Sequence, residues 1–190
     1  LAAYDNIFNG ATDECFDLNN CDAHLEGNVF MNVRLSTPRN STANAVAINY
    51  ESSVTLTRNL FHNVDHAVLA KNGADCQFEN NTVVNATIAA INLNEPLRPN
   101  TLPADSVDLE SNIFLECNAI FAYPEEVEVT GSRNILPEDD HWIGDGNLAL
   151  NPFLYNLAGG PLPRDNWKPL PDSPAIGSGK AGRDRGAIVR

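Results

Sequence analysis

Apolar and polar residues alternate in short stretches along most of this chain. Ala23 and Leu25 sit between polar neighbours, as do Val54 and Leu56, Cys76 and Phe78, and Val107 and Leu109. That period of two predicts half-buried strands. A second, continuous apolar stretch follows a few residues later: Val29-Phe30, Leu60-Phe61, Thr82-Val83, Ile113-Phe114. A third run, over 16–18, 46–48, 67–70, 89–93 and 119–122, closes each unit. Between the first and second stretches stands an asparagine: Asn6, Asn28, Asn59, Asn81, Asn112 and Asn134, at intervals of 22, 31, 22, 31 and 22 residues. A recurrent period in this range marks a repeat architecture. Three strands of about four to five residues with three corners fill roughly 22 residues. Such units cannot lie in one flat sheet, but they can coil so that each strand pairs in parallel with its equivalent one turn on. The expected fold is all-β, a parallel β-solenoid of about six turns with three sheets around a dry interior. The asparagines are expected to stack at one corner, where they tolerate a left-handed backbone and join amide to amide in a ladder.

The two long intervals come from polar, proline-bearing segments at 34–44 and 94–105, read as loops leaving the prism at different corners. After Leu136 the character changes: seven of the 12 prolines and both tryptophans lie there. Residues 1–136 are therefore assigned to the solenoid turns and 137–190 to an irregular cap over the open end, which would otherwise expose unpaired strand groups. At the other end Asn6 is already a ladder position. Burial of Ala3, Ile7 and Phe8 is expected only from a neighbour: an upstream domain, a second copy of the chain or another subunit.

Charge narrows the partners. With 12 basic against 25 acidic residues the net charge is −13, which makes nucleic acid a poor partner, since phosphate recognition needs a basic stripe. No apolar run is long enough to insert in a membrane. Cys76 and Cys117 read as buried thiols. Cys15 and Cys21 flank a turn and either bridge it or stay reduced.

These phrases carry a resemblance. The repeated N-I-F units resemble right-handed parallel β-helix proteins of the pectate-lyase-like class. N-P-F at 151–153, S-P-A-I-G-S-G at 173–179 and D-R-G-A at 184–187 look like the closing segment of bacterial secreted β-helix proteins. D-E-C-F-D-L, D-A-H-L-E-G-N-V-F and N-V-D-H-A-V-L-A-K-N-G are similar to the β-helix module of large bacterial surface proteins that also carry lamin-tail-type or spore-coat-kinase-like domains. The resemblance implies right-handed coiling and an extracellular or cell-surface location. Small residues are expected where Cys15 and Cys21 stand, and that departure favours a Cys15–Cys21 disulfide. Within the wider class, lyases cut acidic polysaccharides with an Arg or Lys base beside a carboxylate-bound calcium, and hydrolases use clustered aspartates. The matching material here is Asp13 and His66, each seven residues after a ladder asparagine, with Asn44 between them, and nearby Asp17 and Lys71. Read functionally, these form a polar groove with a proton carrier; read plainly, they are a solvated face with a corner lysine. Asp139, Asp140 and Asp145 are candidate calcium ligands in an acidic loop. The expectation is a non-catalytic extracellular module, structural or glycan-binding, with a polysaccharide lyase or glycoside hydrolase working near Asp13, Asp17, His66 and Lys71 as the alternative.

Overall fold

The structure, a computed structural model, describes residues 1–36, 42–137 and 144–188. Among the described residues eighteen short strands follow one another around a prism. The first turn is β1 (Ala2–Tyr4), β2 (Ile7–Ala11) and β3 (Glu14–Asn19), and the second is β4 (Ala23–Glu26), β5 (Val29–Val33) and β6 (Asn44–Asn49). Then come β7 (Ser53–Thr57), β8 (Leu60–Val64) and β9 (His66–Ala70), followed by β10 (Asp75–Glu79), β11 (Thr82–Ala86) and β12 (Ile91–Asn92). The last strands are β13 (Ser106–Glu110), β14 (Ile113–Leu115), β15 (Phe121–Ala122), β16 (Glu128–Ser132), β17 (Ile135–Leu136) and β18 (Leu148–Ala149). Every third strand pairs in parallel up to β17, on which β18 adds as the next strand, giving sheet A (β1-β4-β7-β10-β13-β16), sheet B (β2-β5-β8-β11-β14-β17-β18) and sheet C (β3-β6-β9-β12-β15).

Inward residues line up turn on turn. Leu25, Leu56, Phe78 and Leu109 are in register in sheet A, and Phe30, Phe61, Val83 and Phe114 in sheet B. The rings of Phe8, Phe30 and Phe61 form a column, each pair of centroids 5.0 Å apart and within 10° of parallel. Each fully buried side chain of this size contributes about 1.5–3 kcal/mol of transfer free energy.

The six asparagines do stack. Each backbone N–H and each Nδ2 donates to Oδ1 of the asparagine one turn on, at 2.8–3.0 Å for the backbone bonds and 2.9–3.4 Å for the amide bonds. The second Nδ2 proton reaches back to a carbonyl of sheet A: Asn28 to Ala3, Asn59 to Leu25, Asn81 to Leu56, Asn112 to Phe78 and Asn134 to Leu109. Asn147 supplies a further rung, accepting from Asn134 N at 2.8 Å. One expectation about these residues is corrected. None of the six has a left-handed backbone; that role falls on the residue before, Asp5, Gly27, Arg58, Asn80, Ser111 and Arg133, with Gly146 before Asn147. The asparagine is selected for its amide, which satisfies a backbone carbonyl and a backbone N–H of the turn before and joins the amide of the turn after.

The described part of the C-terminal segment, 144–188, packs along the side of the prism. β18 extends sheet B, and the chain then runs back along that sheet's outer face. Leu154, Trp167, Ala175 and Ala187 pack on Val29, Leu60, Val84, Ile113 and Ile135. The continuous apolar pairs of the second stretch thus bury one side chain inward and one beneath this strap. Arg164 anchors it near the start of the prism through the carbonyls of Gly27 and Arg58, and Arg185 Nη1 donates to Asn134 O at 2.9 Å. Gly186 N donates to Ser111 O at 2.8 Å. A Cβ on Gly186, where φ is +85°, would meet Ile113 Cδ1 at 2.6 Å and Thr82 Oγ1 at 2.7 Å, so only glycine lets the strap come this close.

The second insertion folds back on the end of β9: Asn72 N donates to Leu102 O at 2.8 Å, and Leu102 N to Asn72 Oδ1 at 2.8 Å. In the first turn Ile7 and Tyr4 are exposed, and Phe8 and Phe16 are half-buried.

No disulfide joins Cys15 to Cys21; all four cysteines are thiols. β3 runs straight from Glu14 to Asn19. Four extended residues span about 13 Å, well beyond the roughly 7 Å that a disulfide allows between Cα atoms. Cys15 packs against the core, where burial pushes its pKa up to about 11, and burial pushes inward Cys76 up to about 12.

Candidate functional site

The four residues singled out for chemistry lie on or beside sheet C, and the fold does not gather them. The column containing His66 is Glu14–Asn44–His66, not one beginning at Asp13. Ala11 and Val64 share a register through Val33. Two residues separate Ala11 from Glu14 and one separates Val64 from His66, so counting from the asparagines slips by one in the first turn. Asp13 contributes its backbone carbonyl, which accepts from Asn44 N at 3.0 Å. Asn44 Nδ2 donates to Glu14 Oε1 at 3.2 Å. Burial first, and then the neighbouring Asp13 carboxylate, raise the Glu14 pKa to about 7.

Asp17 is exposed, with Asn19 Nδ2 on its Oδ1 at 3.0 Å. Lys71 is enclosed at the far end of β9, its Nζ paired with Glu95 from the second insertion. The two side chains keep only 8% and 6% of their accessibility, and Arg98 Nε stands 3.3 Å from the same Glu95 oxygen. The lysine head group faces Glu95 in a buried pair and not an open groove. Five residues of extended chain place Lys71 about 16 Å along the strand from His66.

His66 is 1% exposed. Its Nδ1 lies 2.8 Å from Ala89 O. A carbonyl only accepts, so Nδ1 carries the proton and Nε2 holds a lone pair, which is buried without a partner. Burial lowers the His66 pKa, while the Ala89 carbonyl and the Asp65 and Glu95 charges act in the other direction. Asp65 is the neighbour that counting from the asparagines missed. Its Oδ1 accepts from Thr87 Oγ1 at 2.7 Å and its Oδ2 from Leu35 N at 2.9 Å, with Arg34 Nε 3.5 Å away. Its place in N-V-D-H, one step before the strand, was the available signal. Glu95, inside a proline-bearing insertion, gave none.

Asp139 and Asp140 lie outside the described residues. Asp145 is exposed; its backbone carbonyl accepts from Arg133 N at 2.9 Å, and Arg133 Nη2 stands 4.0 Å from its carboxylate. Among the described residues no three His, Cys, Asp or Glu side chains gather where they could hold a metal ion, and no helix is long and apolar enough to cross a membrane.

Three parallel sheets coiled around an asparagine-laddered core define the parallel β-helix class. The family model for the right-handed β-helix region matches residues 2–138, and the chain belongs to that family. No curated protein and no solved structure matches it.

Proposed function

We propose that this chain is a non-catalytic β-helix module of a secreted or cell-surface protein, a rigid scaffold that binds a neutral glycan on the outer face of sheet A. The observation that carries this reading is how the lateral faces are used. The strap covers sheet B, Lys71 is closed off by Glu95 at one end of sheet C, and His66 is enclosed at the other. Sheet A keeps polar outward positions, with His24, Thr55, Gln77, Asp108 and Thr130 in one register row. Thr55 Oγ1 donates to Gln77 Oε1 at 3.3 Å, and Thr130 Oγ1 to Asp108 Oδ1 at 2.8 Å. Such a row matches the donors and acceptors of sugar hydroxyls, and a net charge of −13 repels a polyuronate. The exposed first turn, with Ile7 at 58% accessibility, is the proposed contact with an upstream domain, a second copy or another subunit.

Calorimetry against neutral and uronate polysaccharides, with assays for unsaturated products and reducing ends, tests the proposal. Binding of a neutral glycan weakened at least tenfold in Gln77→Ala, without turnover, is expected. Turnover lost in Lys71→Ala or His66→Ala would replace this reading with the lyase or hydrolase alternative.

A further inference from the structure

The corner between sheets B and C is pinned by two adjacent residues, Asp65 and His66. Asp65 holds the turn before it through Leu35 N and Arg34, and the turn after it through Thr87 Oγ1. Its backbone carbonyl accepts from Ile88 N at 3.2 Å and Ala89 N at 3.4 Å. His66 Nδ1 completes the hold on the next turn through Ala89 O. Beyond it the strand is slight, since β12 is two residues long and leads directly into the second insertion.

This arrangement suits a neutral ring and no other. A second proton on Nε2 would place a donor and a positive charge where no acceptor faces it. The surrounding charges are already committed. Asp65 serves Thr87, Leu35 and Arg34; Glu95 serves Lys71 and Arg98; Glu14 lies across Asn44 on β3, held by the Asn44 amide. We propose that Asp65–His66 is an acid-sensitive latch, in which protonation of His66 Nε2 loosens the hold on residues 87–90 and opens this corner of the prism. An opened ring takes its proton near the ordinary histidine value of about 6.5, and the enclosed ring only below it. The closed corner therefore loses stability as pH falls through that window. Glu14 works oppositely, because its enclosed carboxyl favours the proton.

Hydrogen exchange of the full chain at pH 7.5 and 5.5, corrected for intrinsic rates, reads the latch. Opening becomes about tenfold more frequent for amides in 85–92 at the lower pH, the ratio expected when a ring with an open-state pKa near 6.5 is protonated only when open. Strands β10 and β13 of sheet A should not change, and His66→Gln should abolish the acceleration. Equal acceleration in His66→Gln, or none in the native chain, overturns the proposal. Should that variant fail to fold, NMR titration of the native ring decides. An Nδ1-protonated neutral ring below pH 6.5 supports the latch; a ring charged at pH 6.5 with the 85–92 amides still protected refutes it.

Discussion

An asparagine in the ladder does more than fill a corner. Asn59 offers both amide protons and its Oδ1 to groups on the two neighbouring turns: the Leu25 carbonyl and the Asn28 N–H and amide on one side, and the Asn81 oxygen on the other. Asn59→Ala strands several of these in a dry site, at about 1–3 kcal/mol for each buried group left unmade. A loss of roughly 3 kcal/mol or more in urea unfolding is expected, and a loss below about 1 kcal/mol would mean that water replaces the amide. Glu14 gives a pH signature. Its folded pKa of about 7 lies above the ordinary 4.5, so the folded chain holds this proton more tightly than the unfolded one. The carboxyl therefore costs nothing below pH 4.5, and its penalty grows as pH rises through 7. Glu14→Gln should match the native melting temperature at pH 4 and exceed it at pH 8; a constant offset would refute the assignment. The ladder positions were legible because their spacing repeats. The left-handed residue before each was not, because Asp, Gly, Arg, Asn and Ser share no side-chain feature, and only the backbone unites them.

Among the elements, alternation located the sheet A strands, and doubled apolar pairs located those of sheet B. What covers the outer member of each pair was not legible, since a strap bonds through backbone carbonyls and glycine contacts that leave no periodic trace. The 13-residue step to Asn147 also fell outside both recurring intervals. The stacked ring column makes a sharp test of the interior. Phe61→Ala removes a ring enclosed by Phe30 and Phe78 and should cost about 3–5 kcal/mol, measured by denaturant midpoint at an unchanged slope. Gly186→Ala forces its new methyl against Ile113 and Thr82. Roughly 1–3 kcal/mol of overpacking is expected, with some further strain from the positive φ. Limited proteolysis should then cut the strap first while sheets A and C stay protected. Cleavage no faster than in the native chain would show that the strap tolerates the methyl.

For the molecule as a whole, successive rungs are separated by 22, 31, 22, 31, 22 and 13 residues, yet each step is one hydrogen-bonded neighbour. Six steps rise about 29 Å at the usual spacing between paired strands of about 4.8 Å. The surplus residues of the second insertion leave sideways at a corner and meet Asn72. Length along the axis is thus counted in rungs and not in residues. Such a body works as a gauge block: loops can grow or shrink on its flanks while its first and last rungs stay the same distance apart.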